Sequence, residues 1–140
     1  HVRLRQHHFH VGEGGGEQWP ALRHLAQQAL VLERSDGLTD AELIAVALPC
    51  LCEFVWVLLR VYGFQQADAA SAIRALLAAA NVEVNRPAVE AGLLVLDAGG
   101  DFADGVIAYE GNWLGGETFV SFDKKAVVLL TAQGQSTRLL

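Results

Sequence analysis

Residues 42–59 read ELIAVALPCLCEFVWVLL, and this stretch decides the fold class that the sequence predicts. Its first part, Glu42 to Leu48, is short, apolar and bounded, which is typical of a buried parallel strand. Pro49 suits the first turn of a helix, and Gly63 suits the position just after its end. The stretch therefore predicts a strand that leads directly into a helix.

The rest of the chain continues this alternation of helices and strands. Helices are predicted over residues 20–33, 66–80, 87–98, 101–114 and 124–131, and strands over 82–84 and 118–122, with a final strand or a tail at the end. Such alternation implies a parallel sheet with helices on both faces. We expect one domain over residues 1–140, a three-layer α/β/α sandwich with a mainly parallel central sheet. Residues 1–19 form an atypical, Gly-rich N-terminal segment of it.

The composition favours a folded intracellular protein. Hydrophobic residues make up 52% of the 140 residues and charged residues 19%, so a real core is expected. No apolar run reaches the roughly 18 residues that a membrane span needs. The net charge of −6 argues against binding nucleic acid through overall positive charge. It allows an enzyme that meets phosphates through bound cations.

Glu53 is the only ionisable acid between Leu48 and Leu59, and we expect it to be buried. Burying an ionised carboxylate without a partner costs folding free energy, unless its pKa rises so that it becomes protonated. A metal ion is one of the best compensating partners. A backbone amide or Arg60 would be a simpler one.

Three further acids are candidate companions for Glu53. Asp101 and Asp104 begin one predicted helix, and Asp123 follows the strand predicted over 118–122. Ligands of parallel sheets gather outside the carboxyl ends of the strands, so all four acids are expected at one sheet edge. Carboxylates there could hold Mg²⁺ or Mn²⁺, which prefer oxygen ligands. The alternatives are helix caps for Asp101 and Asp123 and a helix-dipole partner for Asp104.

Three stretches carry a family resemblance. They are CEFVWVL at 52–58, DFADGVIA at 101–108 and TFVSFDKKA at 118–126. In order and spacing they resemble the PIN-domain family, especially the VapC-type toxins of bacterial toxin–antitoxin pairs, over about residues 20–140. The resemblance implies a parallel sheet sandwiched between helices. It also implies a cytoplasmic endoribonuclease that depends on Mg²⁺ or Mn²⁺.

The resemblance also implies roles for individual residues. Glu53, Asp104 and Asp123 correspond to the catalytic, metal-binding acids, and Asp101 to a frequent extra acid. Ser121 matches a small hydroxyl that often lies near the site. The implied partners are RNA, a cognate antitoxin whose C-terminal segment covers the active site, and a second copy of the chain in a homodimer. No membrane partner is implied.

One part of the family pattern is missing. The family opens with a strand that ends in Asp-Thr-Asn, whereas the corresponding place here reads Gln-His-His-Phe-His at residues 6–10. His7 and His10, or His8 and His10, could give nitrogen ligands, although imidazole suits Mg²⁺ poorly. The alternative function is a catalytically impaired PIN-fold protein that only binds an antitoxin-like partner. Another α/β hydrolase or a phosphatase is disfavoured, because the sequence has neither Asp-x-Asp-x-Thr nor Gly-x-Ser-x-Gly.

Overall fold

The structure is a computed structural model, and it describes residues 31–35 and 42–140. The predictions for residues 1–19, for the three histidines at 7, 8 and 10, and for the first part of the helix at 20–33 lie outside these ranges. Within them the elements are β1 (Val31–Ser35), β2 (Glu42–Val46), α1 (Leu48–Arg60), α2 (Gln66–Ala78), β3 (Val82–Glu83), α3 (Arg86–Asp97), α4 (Phe102–Trp113), β4 (Phe119–Ser121), α5 (Lys124–Ala132) and β5 (Thr137–Leu139). None of the described helices is both long and apolar enough to cross a membrane.

The predicted fold class, a three-layer α/β/α sandwich with a mainly parallel central sheet, is wrong. The described residues are mostly helical, and their strands form two small sheets. In the first, β2 pairs antiparallel with β1 and parallel with β3. In the second, β4 pairs in parallel with β5 alone. Because the described strands pair in two separate sheets, and three of the five have only two or three residues, no single central layer forms among them.

Most individual elements lie close to their predicted positions. The five predicted helices after residue 48 are confirmed to within about two residues at each end, which is the usual uncertainty of helix boundaries. The strands predicted at 42–48, 82–84 and 118–122 are confirmed in shorter form, and the chain end contains β5. The helix predicted over 20–33 is wrong at its last three residues, because Val31–Ser35 is a strand.

The described residues up to Asn85 belong to one compact unit, the N-terminal unit. Helix α1 buries Leu51, Phe54 and Leu58, which recur at helical spacing on one face. Helix α2 packs against α1 and buries Ile73 and Leu76 among small alanines. The amide of Ile44 in β2 donates a 2.7 Å hydrogen bond to the carbonyl oxygen of Asn81, which ties the sheet to the turn before β3.

Residues Arg86–Leu140 form the second compact unit, the C-terminal unit. Helices α3 and α4 approach closely where both carry glycine. A Cβ atom on Gly92 would lie 2.6 Å from the ring of Phe102, and one on Gly105 would overlap the carbonyl group of Ala91. The core of this unit joins α3, α4, α5 and β4 through Val95, Ala108, Leu129, Leu130 and Phe119. This packing fixes the N-termini of α4 and α5. The single-domain assignment of residues 1–140 stays a prediction.

Candidate functional site

The N-terminus of α4 carries the first two acids of the candidate site. Gly99 has a positive φ of 92°, which reverses the chain after α3, and the Gly100 amide donates to the Val95 carbonyl at 2.8 Å. Asp101 follows in extended conformation and is the N-cap of α4. The Ala103 amide donates to its Oδ1 at 3.1 Å. The cap alternative for Asp101 is therefore confirmed.

Asp104 lies in the first turn of α4 and is half-buried. Its pKa is raised from 3.8 to about 6, first by desolvation and then by the negative charges of Asp101 and Asp123. The helix dipole would favour an acid at this position, so burial and the two neighbouring acids outweigh it. Asp104 is therefore the group of this site whose ionisation the surrounding protein opposes.

Asp123 lies on another segment of the C-terminal unit, in the turn between β4 and α5. Strand β4 ends at Ser121, whose Oγ accepts a 2.9 Å hydrogen bond from the Asp123 amide. Asp123 is the N-cap of α5, and its Oδ1 accepts from the amides of Lys125 at 2.9 Å and Ala126 at 3.3 Å. The cap alternative is confirmed for Asp123 as well. Ser121 fixes the turn that presents this carboxylate.

Asp101, Asp104 and Asp123 together form what we call the acidic cluster. Both cap residues use Oδ1 for their backbone hydrogen bonds, so the carboxylates are held in place by the helices they begin. Their charges act on Asp104, although 19 positions separate Asp104 from Asp123. The cluster is thus built from the N-termini of two helices that share one core.

Glu53 does not match the environment predicted for it. Its side chain is exposed on α1, so the prediction that it is buried is wrong. Other residues of α1 form its buried apolar face. Glu53 lies on the opposite, exposed face together with Trp56 and Arg60. The helical period places Glu53, Trp56 and Arg60 on one face of α1, but the almost continuous apolar run does not indicate that this face is the exposed one. The assignment of Glu53 as a metal ligand and catalytic residue stays a prediction.

The expected common sheet edge is also absent from the described residues. Glu53 follows β2, a strand of the three-stranded sheet, whereas Asp123 follows β4 in the separate two-stranded sheet. The carboxyl ends of β2 and β4 therefore do not lie along one sheet. The sequence places the acids at strand ends, whereas in the structure Asp101 and Asp123 are helix caps and Asp104 lies in the first turn of α4.

The fit of a divalent cation can be assessed from the donor atoms. In the part of the chain that the structure describes, no group of three or more His, Cys, Asp or Glu side chains is placed so that it could hold a metal ion. The acidic cluster offers carboxylate oxygens, and these are the donors that Mg²⁺ and Mn²⁺ prefer. The described geometry does not bring Asp101, Asp104 and Asp123 together as a three-ligand site, so their assignment as ligands of such an ion stays a prediction.

Comparison with known proteins adds no relative. No family model, no curated protein and no solved structure matches this chain. The resemblance to PIN domains stays a prediction from the three sequence stretches, and the function rests on the residues themselves.

Proposed function

We propose that the protein is a metal-dependent endoribonuclease of the PIN-domain, VapC-like kind, the toxin component of a toxin–antitoxin pair. It would hydrolyse RNA phosphodiester bonds at the acidic cluster with Mg²⁺ or Mn²⁺. Asp104 and Asp123 are the proposed catalytic and metal-binding residues, and Asp101 is a supporting ligand. The proposal is supported by the position of Asp104, half-buried in the first turn of α4, and by the charges of the two capping residues Asp101 and Asp123, which together with burial raise its pKa.

The electrostatics of the cluster favour a bound cation. Three carboxylates in one region repel each other, and the cost is concentrated on the half-buried Asp104. A divalent cation would replace this repulsion with attraction and would return the pKa of Asp104 to a lower value. Mg²⁺ keeps several of its water ligands in proteins, so a few carboxylates, partly through water, suffice to hold it.

Asp104, Asp123 and Ser121 would have separate roles at a bound ion. A bound ion supplies activation of water and neutralisation of charge on the phosphodiester. Asp104 would be one ligand of the cation, from the first turn of α4. Asp123 would be another, from the N-terminus of α5, and the Ser121 Oγ orients Asp123 by accepting a 2.9 Å hydrogen bond from its backbone amide. The two caps restrict the carboxylates before the ion binds, which lowers the ordering cost of binding.

The partners belong to the same proposal. They are RNA as substrate, a cognate antitoxin and a second copy of the chain in a homodimer, all in the cytoplasm. The place of Glu53 in this site stays a prediction, tested by Glu53→Gln in an RNA cleavage assay.

The test is an RNA cleavage assay on the full chain. End-labelled single-stranded RNA is incubated with protein in Mg²⁺, in Mn²⁺ and in EDTA. We expect cleavage in either metal, none in EDTA, and none for Asp104→Asn. Glu110→Gln, which removes an exposed acid from the last turn of the same helix, should cleave like the unaltered protein. Cleavage that persists in EDTA or in Asp104→Asn would contradict the proposal.

A second candidate function follows from the missing Asp-Thr-Asn motif. The protein would then be a catalytically impaired protein that only binds an antitoxin-like partner. This function predicts no cleavage by the unaltered chain at any metal concentration. It also predicts a gain of cleavage in His7→Asp, which restores an acid near the place of the missing motif in the sequence. Cleavage by the unaltered chain excludes this second function.

A further inference from the structure

Phe122 is an exposed aromatic ring beside the acidic cluster. It is 82% exposed, whereas Phe54 and Phe102 are buried and the other described phenylalanines, Phe64 and Phe119, are half-buried. Phe122 lies between Ser121 and Asp123, whose hydrogen bonds form the cap of α5. Because these hydrogen bonds fix Ser121 and Asp123, the turn that carries Phe122 is held in place. The ring of Phe122 projects from this turn into solvent.

Positive charge is concentrated at the same turn. The C-terminal unit has four lysine and arginine residues, and three of them, Lys124, Lys125 and Arg138, are in or beside the β4–α5 turn. All three are exposed. The fourth, Arg86, begins α3. In a chain with a net charge of −6, this grouping gives one local surface that can contact anions.

The pairing of β4 with β5 brings Arg138 to this surface. Val120 is the register partner of Arg138, and Ser121 is the partner of Leu139. The Leu140 amide donates to the Ser121 carbonyl at 2.9 Å, so the chain end runs beside the turn. Arg138 therefore lies on the strand next to the residues that lead into Phe122. We call Phe122, Lys124, Lys125 and Arg138 the stacking corner.

We propose that the stacking corner binds single-stranded RNA, with one base stacked on Phe122 and neighbouring phosphates on Lys124, Lys125 and Arg138. The inference rests on the proposed function and names how its substrate is held. Single-strand sites combine an aromatic ring, on which any base can stack, with cations along the backbone. Phe122 precedes Asp123 directly, so the same turn carries the proposed stacking site and one member of the acidic cluster. The cations offset the repulsion between that cluster and the phosphate.

A protein partner is the competing occupant of this surface. Leu139 and Leu140 are exposed beside Ser121 and would add apolar area for such a partner. The residues on both sides of Phe122 are polar or charged, however, whereas the centres of protein interfaces are depleted of charge. This favours a ligand that carries both flat rings and regularly spaced negative charges.

The test measures stacking without cleavage. Single-stranded oligouridine with one central 2-aminopurine is titrated with the full chain in EDTA, and both its fluorescence and its affinity are followed. We expect quenching of 2-aminopurine on binding. Phe122→Ala should abolish the quenching and weaken binding about 10-fold, the usual effect of losing one stacked base. Phe122→Trp should retain both.

Trp113→Ala is the matched control. Trp113 is 81% exposed at the C-terminal end of α4, the end opposite to Asp104. Its loss should change neither quenching nor affinity. Lys124→Gln with Lys125→Gln should lower the slope of log affinity against log salt by about 0.7 for each phosphate that the variant no longer neutralises. Unchanged quenching and affinity in Phe122→Ala, as a protein-docking surface would give, overturns the inference.

The outcome is separable from that of the proposed function. If the chain does not cleave RNA in Mg²⁺ or Mn²⁺ but loses quenching in Phe122→Ala, the nuclease proposal fails and the stacking site stands. If the chain cleaves in a manner that depends on Asp104 while Phe122→Ala binds and quenches normally, the nuclease stands and the stacking site fails.

Discussion

The charge of Asp123, which caps α5, raises the pKa of Asp104 in the first turn of α4. The two residues belong to different helices, and the common core that joins α3, α4, α5 and β4 sets their proximity. Burial and the charge of Asp101 act on Asp104 in the same direction. The ionised form of Asp104 is therefore destabilising at neutral pH.

Asp104→Asn should stabilise the protein without metal above about pH 6. The folded-state pKa of Asp104 is about 6 against 3.8 for the ordinary group, so folding disfavours its ionised form. The folded state binds more protons between these values, and the free energy of unfolding falls as the pH rises through that window. The destabilisation by ionised Asp104 is fully present above about pH 6 and absent below about pH 3.8. For a half-buried group we expect a gain on the order of 1 kcal/mol after solvent screening.

Urea unfolding in EDTA at about pH 8 and about pH 4 checks this expectation. The stabilisation by Asp104→Asn should be present at the higher pH and small at the lower one. Glu110→Gln should show no such pH dependence. A loss of stability at about pH 8 in Asp104→Asn would contradict the described environment of Asp104.

Asp101→Asn should lower the pKa of Asp104 while keeping the helix cap. Asparagine caps a helix about as well as aspartate, but it removes the charge that helps to raise the pKa of Asp104. Asp101→Ala should lower the same pKa and also cost about 1 kcal/mol through loss of the bond to the Ala103 amide. Carboxyl carbon NMR of Asp104 as a function of pH separates the two effects. An Asp104 titration that is the same in all three proteins would count against the coupling.

Gly105→Ala should destabilise the C-terminal unit strongly, and Gly111→Ala should not. A methyl group at Gly105 would overlap the Ala91 carbonyl group, which is backbone and cannot rotate away. We expect a loss of about 1–3 kcal/mol or more, as for other overpacked sites. Gly111 lies in the same helix with nothing within 4 Å of its would-be Cβ, so alanine there should add up to about 1 kcal/mol through helix propensity.

Thermal or urea unfolding of both glycine variants provides the comparison. The opposite signs are the informative result, because both changes add the same methyl group to α4. Equal stability of Gly105→Ala and the unaltered chain would show that α3 and α4 do not approach at this point.

The helices could be predicted from the sequence, and the sheet could not. Helical periods of apolar residues, Pro49 near one N-terminus and glycines at the ends located α1 to α5 closely, since these signals are local. Sheet order depends on pairing between distant segments, which single strands of two to five residues specify weakly. The antiparallel partner β1 falls where an apolar period had predicted a helix.

The candidate site was predicted in part, for a related reason. Asp101 and Asp123 were recognised as possible caps, because the position before a helix is readable from local sequence. Glu53 was misjudged, because a nearly continuous apolar run gave no sign of which face of α1 would be exposed. The effect of the Asp123 charge on Asp104 depends on the packing of α3, α4 and α5, which no local sequence pattern predicts.

Direct binding of Mn²⁺ tests the central claim that the acidic cluster holds a divalent cation. Isothermal titration of the full chain with Mn²⁺ at about pH 7.5 should show binding that is lost in Asp104→Asn and kept in Glu110→Gln. Repeating the titration below about pH 6 should weaken binding, because a proton then competes for Asp104. Absence of Mn²⁺ binding, or equal binding by Asp104→Asn, would contradict the account.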